Sequence, residues 1–170
     1  MKLYLSYPIF LYDSKLKSKF LRVIRESFGK VEIVDPSQFN FPHGRMELYY
    51  NVIDDCDVLV YVPILGFVTA GVYNEVKYAL ENNKRVYRIK DGKLIKVNDL
   101  RDIEEYVLNV EQTNKLYKAL SVVDQYILMK ELDKLSKFYS DKWDALRSFI
   151  DYHLDKYLPK HVNLKRAKRG

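Results

Sequence analysis

The stretch Asp57-Val58-Leu59-Val60-Tyr61-Val62 constrains this chain more than any other. An almost wholly apolar run this short, with no polar alternation, suits a strand buried on both faces, as occurs in parallel sheets sandwiched between helices. Its flanks agree. Residues 2–6 (Lys-Leu-Tyr-Leu-Ser) read as a short strand, and residues 14–28 carry Leu16, Phe20, Val23, Ile24 and Phe28 at helical spacing. Residues 31–34 form a second strand closed by Asp35-Pro36, and Ser37 to Gly44 form a loop. A helix is expected over 45–54. After the central run, Pro63 and Gly66 mark a loop, and a helix over 71–82 places Val72, Val76, Ala79 and Leu80 on one side. Residues 85–89 give a fourth strand, and Asp91-Gly92 turns it into a hairpin arm over 93–97.

Strand and helix thus alternate from 2 to 89, the rhythm of a small doubly wound α/β sheet of Rossmann or flavodoxin-like type. Such sheets bind ligands beyond the carboxyl ends of their strands. The residues to inspect therefore follow Leu5, Val34 and Val62. Beyond 100 the pattern changes. Leu116, Leu120, Val123, Ile127, Leu128, Leu132, Leu135 and Tyr139 step by threes and fours, and so do Trp143, Leu146, Phe149, Ile150, Leu154 and Tyr157. Ser140-Asp141 between them is a helix start and Pro159 a stop. The expected organisation is an α/β domain over 1–98, a helical hairpin over 99–159 that covers the sheet or forms a homo-oligomer face, and a tail over 160–170.

Charge is uneven. The net charge is +6 over 170 residues. Lys160, Lys165, Arg166, Lys168 and Arg169 supply five of these with no acid among them, leaving +1 for residues 1–159. The tail is suited to weak electrostatic contact with nucleic acid, or simply to solvation. The single Cys56 excludes an internal disulfide and a multi-cysteine zinc site and fits a reducing cytoplasm. No apolar run approaches the ~20 residues of a membrane span. Met1 leads directly into Lys2-Leu3-Tyr4-Leu5 without a signal-peptide pattern, so the chain is expected to begin here. Fifteen tyrosines read as compositional bias.

The segment Thr69-Ala70-Gly71-Val72-Tyr73-Asn74-Glu75 carries the most chemistry. Gly71 at a helix start lets a ligand approach the backbone, the first-turn N–H groups favour an anion, and Thr69 adds a hydroxyl. Glu75 lies four residues on, along the same helix face. A carboxylate there is a nucleophile toward a sugar carbon, or only a complement to the helix dipole. Elsewhere the signals are weaker. His43, His153 and His161 lack metal-ligand spacing. His43 and Arg45 sit in the loop at the predicted ligand edge. Asp54, Asp55 and Asp57 cluster in sequence, but a helix end and a strand start aim them apart, so no metal or cofactor is expected. There is no phosphate-binding Gly-x-x-x-x-Gly-Lys loop and no nucleophile elbow. Cys56 opens a buried strand and reads as core.

Three segments together resemble the nucleoside 2-deoxyribosyltransferase family. Tyr4-Leu5-Ser6-Tyr7-Pro8-Ile9-Phe10 is similar to its first strand and loop, often YLAGPLF. Cys56-Asp57-Val58-Leu59-Val60 resembles its A-D-x-x-V strand. Gly71-Val72-x-x-Glu75-x-x-x-Ala79, followed by Asn83-Lys84-Arg85-Val86, resembles its nucleophile helix and next strand, closest to the 2'-deoxynucleoside 5'-monophosphate N-hydrolase branch. The resemblance covers about residues 2–90. It implies that Glu75 attacks the anomeric carbon, that Tyr4 hydrogen-bonds and orients Glu75, and that Thr69 and Gly71 receive a 5'-phosphate or 5'-hydroxyl. It places Ser6, Tyr7 and Tyr49 at the substrate, a nucleoside or its monophosphate.

Three features depart from the family pattern. Tyr49 stands where an acid assists the leaving base, with Glu47 or Asp54 able to substitute only if the helix is rotated or shifted. Tyr7 puts a bulky ring where the family has glycine, and the helices beyond 100 have no counterpart in the resemblance. Three functions therefore stay open: an N-glycosidase or deoxyribosyltransferase, an inactive nucleotide-binding sensor, and a nucleic-acid-associated protein using the tail.

Overall fold

The computed structural model describes residues 1–42 and 44–157. The basic tail, with His161, and His43 in the loop after the second strand lie outside the described residues. Two compact units are present, divided between Asn109 and Val110.

The first unit is built on a five-stranded sheet. Its strands are β1 (Lys2–Ser6), β2 (Glu32–Val34), β3 (Val58–Tyr61), β5 (Arg85–Lys90) and β6 (Lys93–Val97), in the order β2-β1-β3-β5-β6. The first four are mutually parallel and β6 returns antiparallel to β5. This is the doubly wound α/β arrangement of flavodoxin-like sheets, closed by one antiparallel edge strand. The β5–β6 turn needs left-handed backbone at Asp91 (φ 51°) and Gly92 (φ 72°). Asp-Gly supplies it at low cost.

Alternation along the strands sorts side chains onto two faces. Tyr4, Leu59, Tyr61 and Val86 share one face with Ile53 of α2 (Met46–Asp54) and with Val72, Val76 and Ala79 of α3 (Ala70–Glu81), all buried. Leu3, Leu5, Val58 and Val60 occupy the other face and are equally buried. There α1 (Leu16–Phe28) buries Ile24, and Phe28 sets its ring edge-on to Tyr87 at 5.4 Å. Helix α1 ends at Gly29.

Two elements escaped the sequence pattern. Strands β4 (Phe67–Val68) and β7 (Tyr106–Val107) pair in parallel as a separate two-stranded sheet. That pairing draws residues 99–109 into the first unit, correcting the boundary expected at 98. Among the described residues the second unit holds three helices where a two-helix hairpin was expected: α4 (Val110–Val122), α5 (Gln125–Leu135) and α6 (Lys142–Tyr157). Asp124 interrupts the long apolar pattern. Its backbone is extended and its side chain accepts the Tyr126 N–H at 2.8 Å, starting a new helix. Asp141 does the same for α6, accepting from Trp143 at 2.7 Å. Helix α6 packs against both α4 and α5, and Leu116, Ala119, Leu128, Leu146 and Ile150 are fully buried. No helix among the described residues is long and apolar enough to cross a membrane.

Candidate functional site

The site begins with the alternation of β1. Tyr4 and Ser6 lie two residues apart, so both point to the α3 face of the sheet, at the carboxyl end of the strand. Helix α3 crosses that face, and its second turn brings Glu75 over the strand end. Ser6 Oγ donates to Glu75 Oε1 at 2.9 Å, and the Tyr4 hydroxyl donates to Oε2 in a short hydrogen bond. Tyr4 and Ser6 are fully buried, and Glu75 is 7% exposed. The hydrogen bond between Tyr4 and Glu75 implied by the family resemblance is therefore present.

Burial pushes the Glu75 carboxyl up to about 7, against the pull of its two hydroxyl donors. Burial and the adjacent carboxylate hold the Tyr4 phenol far above its usual range, so it remains a donor. Among the described residues, no cation and no second carboxyl contributes to the position of Glu75. A carboxylate in this setting is desolvated, half-satisfied and unpaired.

Tyr49, on α2, stands beside this pair. Its phenol is raised first by burial and then by the Glu75 charge. Its ring meets Phe41 edge-on at 5.0 Å, and Phe41 stacks on Phe39 at 5.1 Å with planes 7° apart. All three rings are half-buried. They form an aromatic wall running from the loop after β2 to the neighbourhood of Glu75. Neither acid proposed to replace the missing one does so. Glu47 is exposed and ion-paired with Arg45, and Asp54 Oδ1 accepts the Tyr78 hydroxyl at 2.7 Å.

The remaining candidates divide. Thr69 is the N-cap of α3 and is buried, with no capping hydrogen bond from its side chain. Gly71, in the first turn, is exposed, and a Cβ there would meet nothing within 4 Å. The helix start is thus open to a ligand. Tyr7 is turned away. Its buried ring lies against Tyr12 at 4.7 Å, and its hydroxyl donates to Asp35 Oδ1 at 2.7 Å. Asp35 in turn pairs with Lys17 at 2.5 Å and caps the turn Pro36–Gln38. Tyr7 therefore ties the ends of β1 and β2 together.

Sequence reasoning missed three neighbours of the site. Tyr12 contributes to the raised Tyr4 phenol, and Phe39 and Phe41 build the wall behind Tyr49. The available signal was their position: aromatic residues in the loops after β1 and β2, at the ligand edge of the sheet. The acidic cluster expected to diverge does so. Asp57 Oδ2 accepts the Lys2 N–H at 2.9 Å, while Asp54 Oδ1 is taken by the Tyr78 hydroxyl. No group of three or more His, Cys, Asp or Glu side chains gathers among the described residues in a way that could hold a metal ion. Burial pushes the Cys56 thiol up to about 11, as fits an inert core residue. No family model, curated protein or solved structure matches this chain.

Proposed function

We propose that this protein cleaves the N-glycosidic bond of a nucleoside or nucleotide, with Glu75 as nucleophile. One observation carries the reading. A buried carboxylate at the ligand edge of the sheet is held, among the described residues, by the hydroxyls of Tyr4 and Ser6 with no cation beside it. Leaving such a charge unpaired is costly. The cost falls when a cation forms against it, and the transition state of glycosidic cleavage is oxocarbenium-like. The carboxylate therefore binds the transition state better than the ground state, which is the requirement for catalysis.

In this mechanism the ionised Glu75 faces the anomeric carbon. Tyr4 and Ser6 fix both oxygens and keep the attacking lone pair oriented. Attack forms a glycosyl ester as the C–N bond breaks. Water or a second base then attacks the same carbon and returns the carboxylate. The open start of α3, with Thr69 and Gly71, suits a 5'-oxygen or phosphate, because first-turn N–H groups favour an anion.

The direct experiment is release of free base from deoxynucleosides, nucleosides and their monophosphates, followed chromatographically. Glu75→Gln keeps size and polarity but removes the charge. Base release should fall by ~10³-fold or more with ligand affinity little changed, the pattern of an interaction made mainly in the transition state. Undiminished turnover in Glu75→Gln would remove Glu75 as nucleophile.

A second reading rests on Tyr49. With a phenol in place of a carboxyl at the aromatic wall, the same site would bind a nucleotide without turning it over. It predicts nucleotide binding with no base released by the unaltered protein.

A further inference from the structure

A neutral nucleoside has a difficult leaving group. Its base departs as an anion unless a proton is delivered to it, and a placed general acid is worth about 10²–10⁴-fold in rate. The surroundings of Glu75 hold no such acid among the described residues. The Tyr4 and Ser6 hydroxyls donate to Glu75 itself. Glu47 faces solvent in its pair with Arg45, and Asp54 is engaged by Tyr78. Tyr49 and Tyr50 both feel the Glu75 charge, and burial together with that charge makes each a weaker acid than an ordinary phenol. What the site offers instead is a carboxylate whose charge reaches Tyr49, a ring set edge-on to Phe41, which stacks in turn on Phe39. An aromatic face and a carboxylate both attract a flat cation.

We infer that the Glu75 site takes N-glycosides whose base already carries a positive charge on its glycosidic nitrogen, of the N-ribosyl pyridinium type, so that departure needs no proton. This rests on the N-glycosidase reading and names its substrate class. The step balances without an acid. The C1'–N bond breaks with its electron pair going to the ring nitrogen, which becomes a neutral pyridine. A Glu75 oxygen forms the C1'–O ester bond. Water then attacks C1', the ester bond breaks with its pair returning to the carboxylate, and one proton passes to solvent. Charge is conserved: a cationic glycoside and water give a neutral base, a neutral sugar hemiacetal and a proton. The aromatic wall holds the ring before cleavage and loses its cation–π attraction once the ring is neutral, which assists release.

The test compares kcat/KM of the full-length protein on nicotinamide mononucleotide with that on adenosine and 2'-deoxyadenosine 5'-monophosphates, reading free base by chromatography. The pyridinium substrate should be preferred by roughly 10²-fold or more, the factor a missing general acid withholds from the neutral bases. Its rate should rise with pH through the Glu75 ionisation near 7 and then stay level, because no second group must remain protonated. Glu75→Gln should abolish it. Adenine release as fast as nicotinamide release, or a descending alkaline limb with the pyridinium substrate, would overturn the inference and leave the N-glycosidase reading standing. No base released from any of the three substrates would overturn both.

Discussion

One row of residues across the sheet holds two buried charges that are treated in opposite ways. Ser6, Tyr61 and Arg88 are register partners on β1, β3 and β5. At the β1 end, Ser6 meets Glu75. At the β5 end, Arg88 is 2% exposed, with Glu104 at 3.1 Å and Glu105 at 3.7 Å as counter-charges and the Asp102 carbonyl accepting from its Nη2. Tyr61 between them donates to Glu105 at 3.3 Å. The arginine has its counter-charges built in and acts as a tie. It holds residues 102–105 against β5, and the next two residues form β7, which pairs with β4 directly before Thr69. The glutamate has hydroxyls but, among the described residues, no cation. A compensated buried charge organises the fold, whereas an uncompensated one keeps interaction energy in reserve for a positive partner that arrives later.

The largest effect should come from breaking the compensated end. Arg88→Met removes the cation and leaves Glu105, whose side chain is 8% exposed, buried without it. Loss of one partner of a buried pair costs about 3–5 kcal/mol. Urea unfolding should show a midpoint shift of that size without a change in slope. Glu105→Gln added to Arg88→Met should recover part of it. A loss under 1 kcal/mol would mean that the arginine is not the tie described above.

The other end should respond with the opposite sign. The folded-state value of Glu75, about 7, lies above its ordinary 4.5, so the native state keeps a proton that the unfolded chain gives up between these values. Its contribution is fully present below pH 4.5 and is lost as pH rises through 7. At about 1.4 kcal/mol per unit, the loss is about 3 kcal/mol. Glu75→Gln does not ionise. It should match the unaltered protein near pH 4 and exceed it by about 3 kcal/mol at pH 8, measured by denaturant unfolding at each pH. A constant difference across this range would show that the carboxylate is not desolvated. A variant that gains stability as it loses turnover is the expected mark of a site strained for chemistry.

Sequence pattern carried the sheet well because its strands are short, apolar and separated by helices with clear periodicity. The strand at 93–97 was marked by its Asp91-Gly92 turn. Two-residue strands such as Phe67–Val68 have no periodicity to read, and only pairing with Tyr106–Val107 defines them. The break at Asp124 was hidden because apolar spacing runs on through Val123, just past the end of α4, to Leu128 in α5, both buried. At the site, alternation was enough to place Tyr4 and Ser6 on one face, and the family resemblance supplied their connection to Glu75. That Ser6 binds Glu75 itself, and that Tyr7 leaves for Asp35, depends on side-chain directions beyond the strand end, where alternation no longer applies.

The smallest effect distinguishes tuning from chemistry at the uncompensated end. Tyr4→Phe removes one of the two donors that stabilise the Glu75 anion and leaves the ring that fills the core. A hydrogen bond to a charged group is worth about 1.5–3 kcal/mol, which corresponds to about one to two pH units in the carboxyl. The direction is upward, since the lost bond favoured the charged form. The rising limb of the pH–rate profile should therefore move from near 7 to above 8, so that the variant is slow at neutral pH and recovers most of its rate at pH 9.5. Ser6→Ala should move the limb the same way. If Tyr4 instead took a direct part in bond breaking, the deficit in Tyr4→Phe would persist undiminished at alkaline pH. The buried ring protects this comparison from trivial unfolding, because only an oxygen atom is removed and the aromatic contacts with Leu59, Val72 and Val76 in the same cluster remain.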